Sequence, residues 1–111
     1  MEQRQFGDTE LTCSALGFGT WEMSTTQYGE IDVEAASDAV NAAIDRGITL
    51  FDTAEVYGPY HSEELLAKAL GARRKEIVLV TKVGFRISEE NKIAGRNSAY
   101  EHITAHAEGC L

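Results

Sequence analysis

Three polar residues stand where a folded chain could bring them together: Asp52, Tyr57 and Lys82. Asp52 closes an apolar run, Ile48-Thr49-Leu50-Phe51, that reads as a buried strand. Tyr57 comes five residues later, directly before Gly58, and Lys82 follows the apolar run Ile77-Val78-Leu79-Val80-Thr81. A free phenol, with a pKa of about 10, is a poor proton donor and a poor base near neutrality. An ammonium beside it favours the phenolate, and a carboxylate bonded to that ammonium keeps it charged and aimed. Asp, Lys and Tyr together make a tuned proton relay. Singly, each has a plainer reading: a strand-end Asp as a cap, a loop Tyr as a lid, a Lys as a solvated charge. Convergence on one face favours the relay.

The rest of the chain must position them. Arg4-Gln5-Phe6 and Leu11-Thr12-Cys13 flank the turn formers Gly7-Asp8-Thr9-Glu10, so residues 1–14 read as a short hairpin. A first buried strand is expected over residues 15–20, with glycines where something approaches the backbone. Asp32 caps a helix to about Arg46, with Val33, Ala36, Val40, Ala43 and Ile44 at helical spacing and Gly47 as its end. The second strand is residues 48–52. A shorter helix from about Ser62 carries Leu65, Leu66, Ala69 and Leu70 on one face and stops at Gly71. Residues 77–81 read as a third strand, buried on both faces, and a polar loop is expected from about Gly84 to Asn97. Ser98-Ala99-Tyr100-Glu101 reads as a capping box opening a third helix to Leu111, with Ile103 and Ala107 inward.

The resulting order after the hairpin is β-α-β-α-β-α, which means α/β architecture with a parallel sheet and right-handed crossovers. In such sheets reactive groups gather at the C-terminal ends of the strands. Asp52, Tyr57 and Lys82 all fall there, and so does Gly19-Thr20-Trp21.

The bulk numbers fit an ordinary globular protein: 111 residues, 43% hydrophobic and 25% charged. A formal charge of −8 argues against a nucleic-acid partner. No apolar run approaches the roughly 20 residues that span a bilayer. The N-terminus lacks the apolar core of a signal peptide, so a cytoplasmic location is expected. Cys13 and Cys110, far apart and without metal-ligand spacing, read as free thiols.

The motifs resemble the aldo-keto reductase superfamily. Leu16-Gly17-Phe18-Gly19-Thr20-Trp21 resembles its first barrel strand, and residues 47–58, GITLFDTAEVYG, resemble its GxxxFDTAxxYG signature. Ser62-Glu63-Glu64-Leu65-Leu66 is similar to the start of its second helix, and Val80-Thr81-Lys82 to the strand carrying its lysine. The resemblance implies a (β/α)8 barrel that passes hydride between NADPH and a small carbonyl substrate. It implies Tyr57 as general acid, Lys82 as the group that lowers its pKa, and Asp52 as the partner of the lysine. It further implies Gly19, Thr20, Trp21 and Asp52 at the cofactor, with Trp21 and Tyr57 at the substrate.

The chain also departs from that pattern. A (β/α)8 barrel takes about 250 residues, so the reading is one partial domain: a bottom-capping hairpin over residues 1–14 and three βα units over residues 15–111. The family's fourth tetrad member, a histidine in a DxxxxHxP stretch, has no match here. His61 reads as a neighbour of a helix start. His102 and His106, four apart on a helix, read as a solvated face, since HExxH and a third metal ligand are absent. The 111 residues alone are expected to be inactive. The alternative reading is a cofactor-binding regulatory or docking subunit of the same superfamily. A complete flavodoxin-like domain fits less well, because Thr20-Trp21-Glu22-Met23 is not a phosphate-cradling loop.

Overall fold

The structure is a computed structural model that describes residues 1–25 and 29–110, so the reading of a helix to Leu111 ends outside them. Strand β1 (Gln3–Gln5) pairs antiparallel with β2 (Thr12–Ser14). Three strands then form a parallel sheet in the order β3 (Gly17–Gly19), β4 (Leu50–Asp52) and β5 (Val78–Val80). Helix α1 (Val33–Asp45) connects β3 to β4, and α2 (His61–Leu70) connects β4 to β5. Each strand is three residues long, two or three shorter than its apolar run.

Local chemistry sets the helix ends. The Asp32 side chain accepts from the Ala35 N–H at 3.0 Å, which opens α1. Gly47 leaves it with φ +83°, a conformation that favours glycine. Ser14 docks the hairpin onto the sheet: its buried hydroxyl accepts from the Thr49 N–H at 2.9 Å and the Leu50 N–H at 3.2 Å.

The core lies between the sheet and the two helices, which pack against each other. Val40, Ala43 and Ile44 of α1 meet Leu65, Leu66 and Leu70 of α2 over Phe51. Phe51 is fully buried, with the Phe18 ring 5.2 Å away. Burying a side chain of that size stabilises by about 1.5–3 kcal/mol. Val33, the first residue of the helix, departs from the expected stripe at 54% exposed.

Four further expectations need correcting. The residues expected as a polar loop contain an antiparallel pair, β6 (Phe85–Ile87) with β7 (Ile93–Arg96). Its tight turn rests on Ser88, whose carbonyl accepts from the Asn91 N–H, and on Asn91 with φ +56°. Two strands this short give little periodicity to read. The expected capping box does not form either. Helix α3 (Tyr100–Gly109) starts two residues after Ser98, at an Ala99 cap without a side-chain bond, and the Asn97 carboxamide takes the Ala99 N–H instead. The inward side of α3 carries His102, Ile103, His106 and Cys110, while Ala107 is exposed. Finally, β5 is only half-buried, since helices cover one face of it.

Candidate active site

Parallel pairing with Gly19 opposite Asp52, and Asp52 opposite Val80, brings the three strand ends level. Lys82, two residues beyond β5, then reaches across. Its ammonium donates to both Asp52 oxygens at 2.8 and 2.7 Å, to the Thr53 carbonyl at 2.8 Å, and to the Tyr57 hydroxyl at 3.3 Å. The Asp52 and Lys82 side chains are 43% and 49% exposed, so solvent can exchange protons with the cluster. Burial works against the Lys82 charge, but bonds from Asp52 and Tyr57 outweigh it and hold the ammonium above its ordinary range. All three residues singled out as a relay therefore meet. An ammonium pinned by a carboxylate and pointed at a phenol oxygen stabilises negative charge there as a proton leaves.

The residues beside them divide. Trp21 is 43% exposed, with its ring 6.4 Å from that of Tyr57. A Cβ built on Gly19 would meet nothing within 4 Å, so that strand end is open to a ligand. Thr20 points the other way: its side chain is fully buried and its hydroxyl donates to the Asp52 carbonyl at 3.1 Å. A cavity of about 500 Å³ adjoins the cluster, lined by Trp21, Val56, Tyr57, Pro59 and the β6–β7 residues Asn91 to Ile93. A larger groove of about 590 Å³ opens between α2 and α3, but neither Tyr57 nor Lys82 lines it.

Behind the open cluster lies a polar group that the sequence did not disclose. Glu55 is fully buried, and its carboxylate accepts from the Gly84 and Phe85 N–H groups and from His106 Nδ1 at 2.6 Å. His102 Nε2 bonds the Phe85 carbonyl at 2.8 Å. This overturns the solvated-face reading of His102 and His106: both rings turn inward, 3.9 Å apart, because a buried carboxylate needs partners. The available signal was Glu55 itself, a charge directly after the buried residues Thr53 and Ala54. Cys13 and Cys110 are free thiols. Burial, followed by the nearby Glu63 carboxylate, pushes the Cys110 thiol up to about 11. Among the described residues no group of three or more His, Cys, Asp or Glu could hold a metal, and no helix is long and apolar enough to cross a membrane.

The aldo/keto reductase family pattern matches residues 15–110. The chain belongs to this family. Aldo-keto reductase YhdN of Bacillus subtilis is 39% identical over 113 residues, covering 100% of this chain and 34% of that protein. Among solved structures, the holo form of aldo-keto reductase AKR11C1 from Bacillus halodurans superposes with a TM-score of 0.87 at 31% identity, covering 100% of this chain and 35% of that one. An aldo-keto reductase from Klebsiella pneumoniae in complex with NADPH matches at 36% identity and a TM-score of 0.57, over 65% of this chain and 24% of that one. This aldo-keto reductase chain thus spans about a third of the length of the relatives it matches.

Proposed function

We propose that the chain is the N-terminal part of an NADPH-dependent aldo-keto reductase that reduces small aldehydes and ketones, with Tyr57 as general acid. The hairpin of residues 1–14 would close the bottom of the barrel, and residues 15–111 would supply its first three βα units as one partial domain. The observation that carries the reading is the Lys82 ammonium, held by Asp52 and set 3.3 Å from the Tyr57 hydroxyl.

The open face of Gly19 beside the exposed Trp21 fits a flat ring lying at the end of β3. When bound there, a nicotinamide cofactor supplies hydride to the carbonyl carbon. The substrate oxygen would lie against Tyr57, in the cavity that Trp21 and Ile93 wall. As the carbonyl oxygen gains electron density, Tyr57 gives it a proton. Lys82 stabilises the charge left on the phenol oxygen, and Asp52 holds Lys82 in place. Thr20 supports the site by fixing the Asp52 backbone rather than by side-chain contact.

Taken alone, the 111 residues are proposed to be inactive, because β5 keeps a half-buried apolar face that a closed barrel would cover. NADPH-dependent aldehyde reduction by the isolated 111 residues would overturn that part. The main reading is tested by following NADPH consumption with a small aldehyde in the protein as its gene encodes it. Tyr57→Phe should abolish most turnover while leaving NADPH binding intact. Undiminished turnover in that variant would refute the role of Tyr57.

A further inference from the structure

We propose that Glu55 is a positioning residue: its buried carboxylate sets the Lys82 segment against Tyr57, and His106 is the counter-group that lets it do so. The inference rests on the proton-delivery role given above to Tyr57 and Lys82.

Glu55 grips the chain around Lys82 at three points. Its backbone N–H donates to the Lys82 carbonyl at 3.2 Å. One carboxylate oxygen then accepts from the N–H groups of Gly84 at 2.9 Å and Phe85 at 3.0 Å. Two successive N–H groups converging on one oxygen form a backbone nest for an anion, here filled from within the chain. The nest sits where it is needed. Gly84 has φ +123°, so the chain turns sharply out of the line of β5 just after Lys82. Glu55 also holds the other side of the cluster, because its carbonyl accepts from the Tyr60 N–H at 2.7 Å, closing the loop that presents Tyr57.

The carboxylate has no solvent, since Glu55 is fully buried. A charge so placed is heavily penalised unless it is paired and bonded throughout. His106 Nδ1 occupies the second oxygen, and its ring stacks on His102, which takes the Phe85 carbonyl. Phe85 is thereby held at its N–H by Glu55 and at its C=O by His102. The Lys82 to Tyr57 contact at 3.3 Å is the longest of the four made by the ammonium, so it responds most to a shift of this segment. Displacement of reacting groups by about 1 Å can cost on the order of a hundredfold in rate.

The test uses the protein as its gene encodes it, with Glu55→Ala, Glu55→Gln and His106→Gln compared with Tyr57→Phe. Rates are taken well below the lowest Tm of the set. Glu55→Ala should lower kcat by roughly ten- to a hundredfold, with the carbonyl KM and NADPH affinity within about twofold. Amide hydrogen exchange at Gly84 and Phe85 should accelerate in the same variant. Glu55→Gln should recover part of kcat, because an amide oxygen can still accept from both N–H groups. Should Glu55→Ala not fold, Glu55→Gln and His106→Gln carry the test, each with lowered kcat at near-constant KM expected. Unchanged kcat in the folded variants, with only Tm or exchange altered, would show a mere staple and overturn the proposal. A wild type without carbonyl reduction, or a Tyr57→Phe variant at full rate, would instead sink the parent reading, which separates the two failures.

Discussion

Asp52 ends β4 and Glu55 stands three residues later in the loop that follows, and the fold treats them in opposite ways. Asp52 is half-open, and a lysine and water share its charge. Glu55 is sealed, bonded to two backbone N–H groups and a histidine. The open carboxylate sits in a medium of high dielectric, where an ion pair contributes little to stability but protons can come and go. The sealed one is in the reverse situation. Its partners are fixed, so its charge serves to hold backbone in place. On the reading proposed above, the same functional group would serve turnover on one side of the loop and geometry on the other, with burial deciding which.

Four variants or conditions sharpen or break that contrast. Tyr57→Phe should be largest in activity, a loss of about 10²–10⁴-fold in kcat for a general acid, with Tm nearly unchanged. His106→Ala should add to a smaller fall in kcat a stability loss of about 1–3 kcal/mol, because Glu55 is left short of a partner, read by urea unfolding. Of the two carboxylates, high pH should act through the partner of the open one. Lys82 is raised above its ordinary 10.5, with burial opposing and the Asp52 and Tyr57 bonds prevailing. Its folded value exceeds its unfolded one, so its stabilisation is complete below about 10.5 and fades as pH rises through the folded value. For so exposed a pair the effect is within about 1 kcal/mol. The Tm gap between wild type and Lys82→Met should therefore narrow above that pH, and Glu55 variants should show no such narrowing. Smallest, Asp32→Ala removes a helix cap far from both carboxylates and should cost about 1 kcal/mol without altering kcat.

The open side of the loop was readable and the sealed side was not. Asp52, Tyr57 and Lys82 end apolar strands or follow them, and parallel pairing forces such ends together. Apolar spacing likewise placed Val40, Ile44, Leu65 and Leu66 in the core. Glu55 gave only the hint of a charge in a buried stretch, since its partners lie 29, 30 and 51 residues away along the chain. The face of α3 was misjudged at Ala107, though not at Ile103, for the same reason. Ile103 and Ala107 carry weak apolar signals, and the helix turned instead to satisfy Glu55 with His106. The β6–β7 pair hid because its strands are only three and four residues long. Long-range polar satisfaction leaves no local periodicity.

The most direct test of the open cluster is Lys82→Met, assayed for NADPH-dependent aldehyde reduction in the protein as its gene encodes it. We expect kcat to fall by about 10²-fold or more, with NADPH still bound and Tm close to that of the wild type. Turnover at the wild-type rate in a folded Lys82→Met protein would contradict the account, for Tyr57 would then be delivering its proton without the ammonium that the fold places beside it.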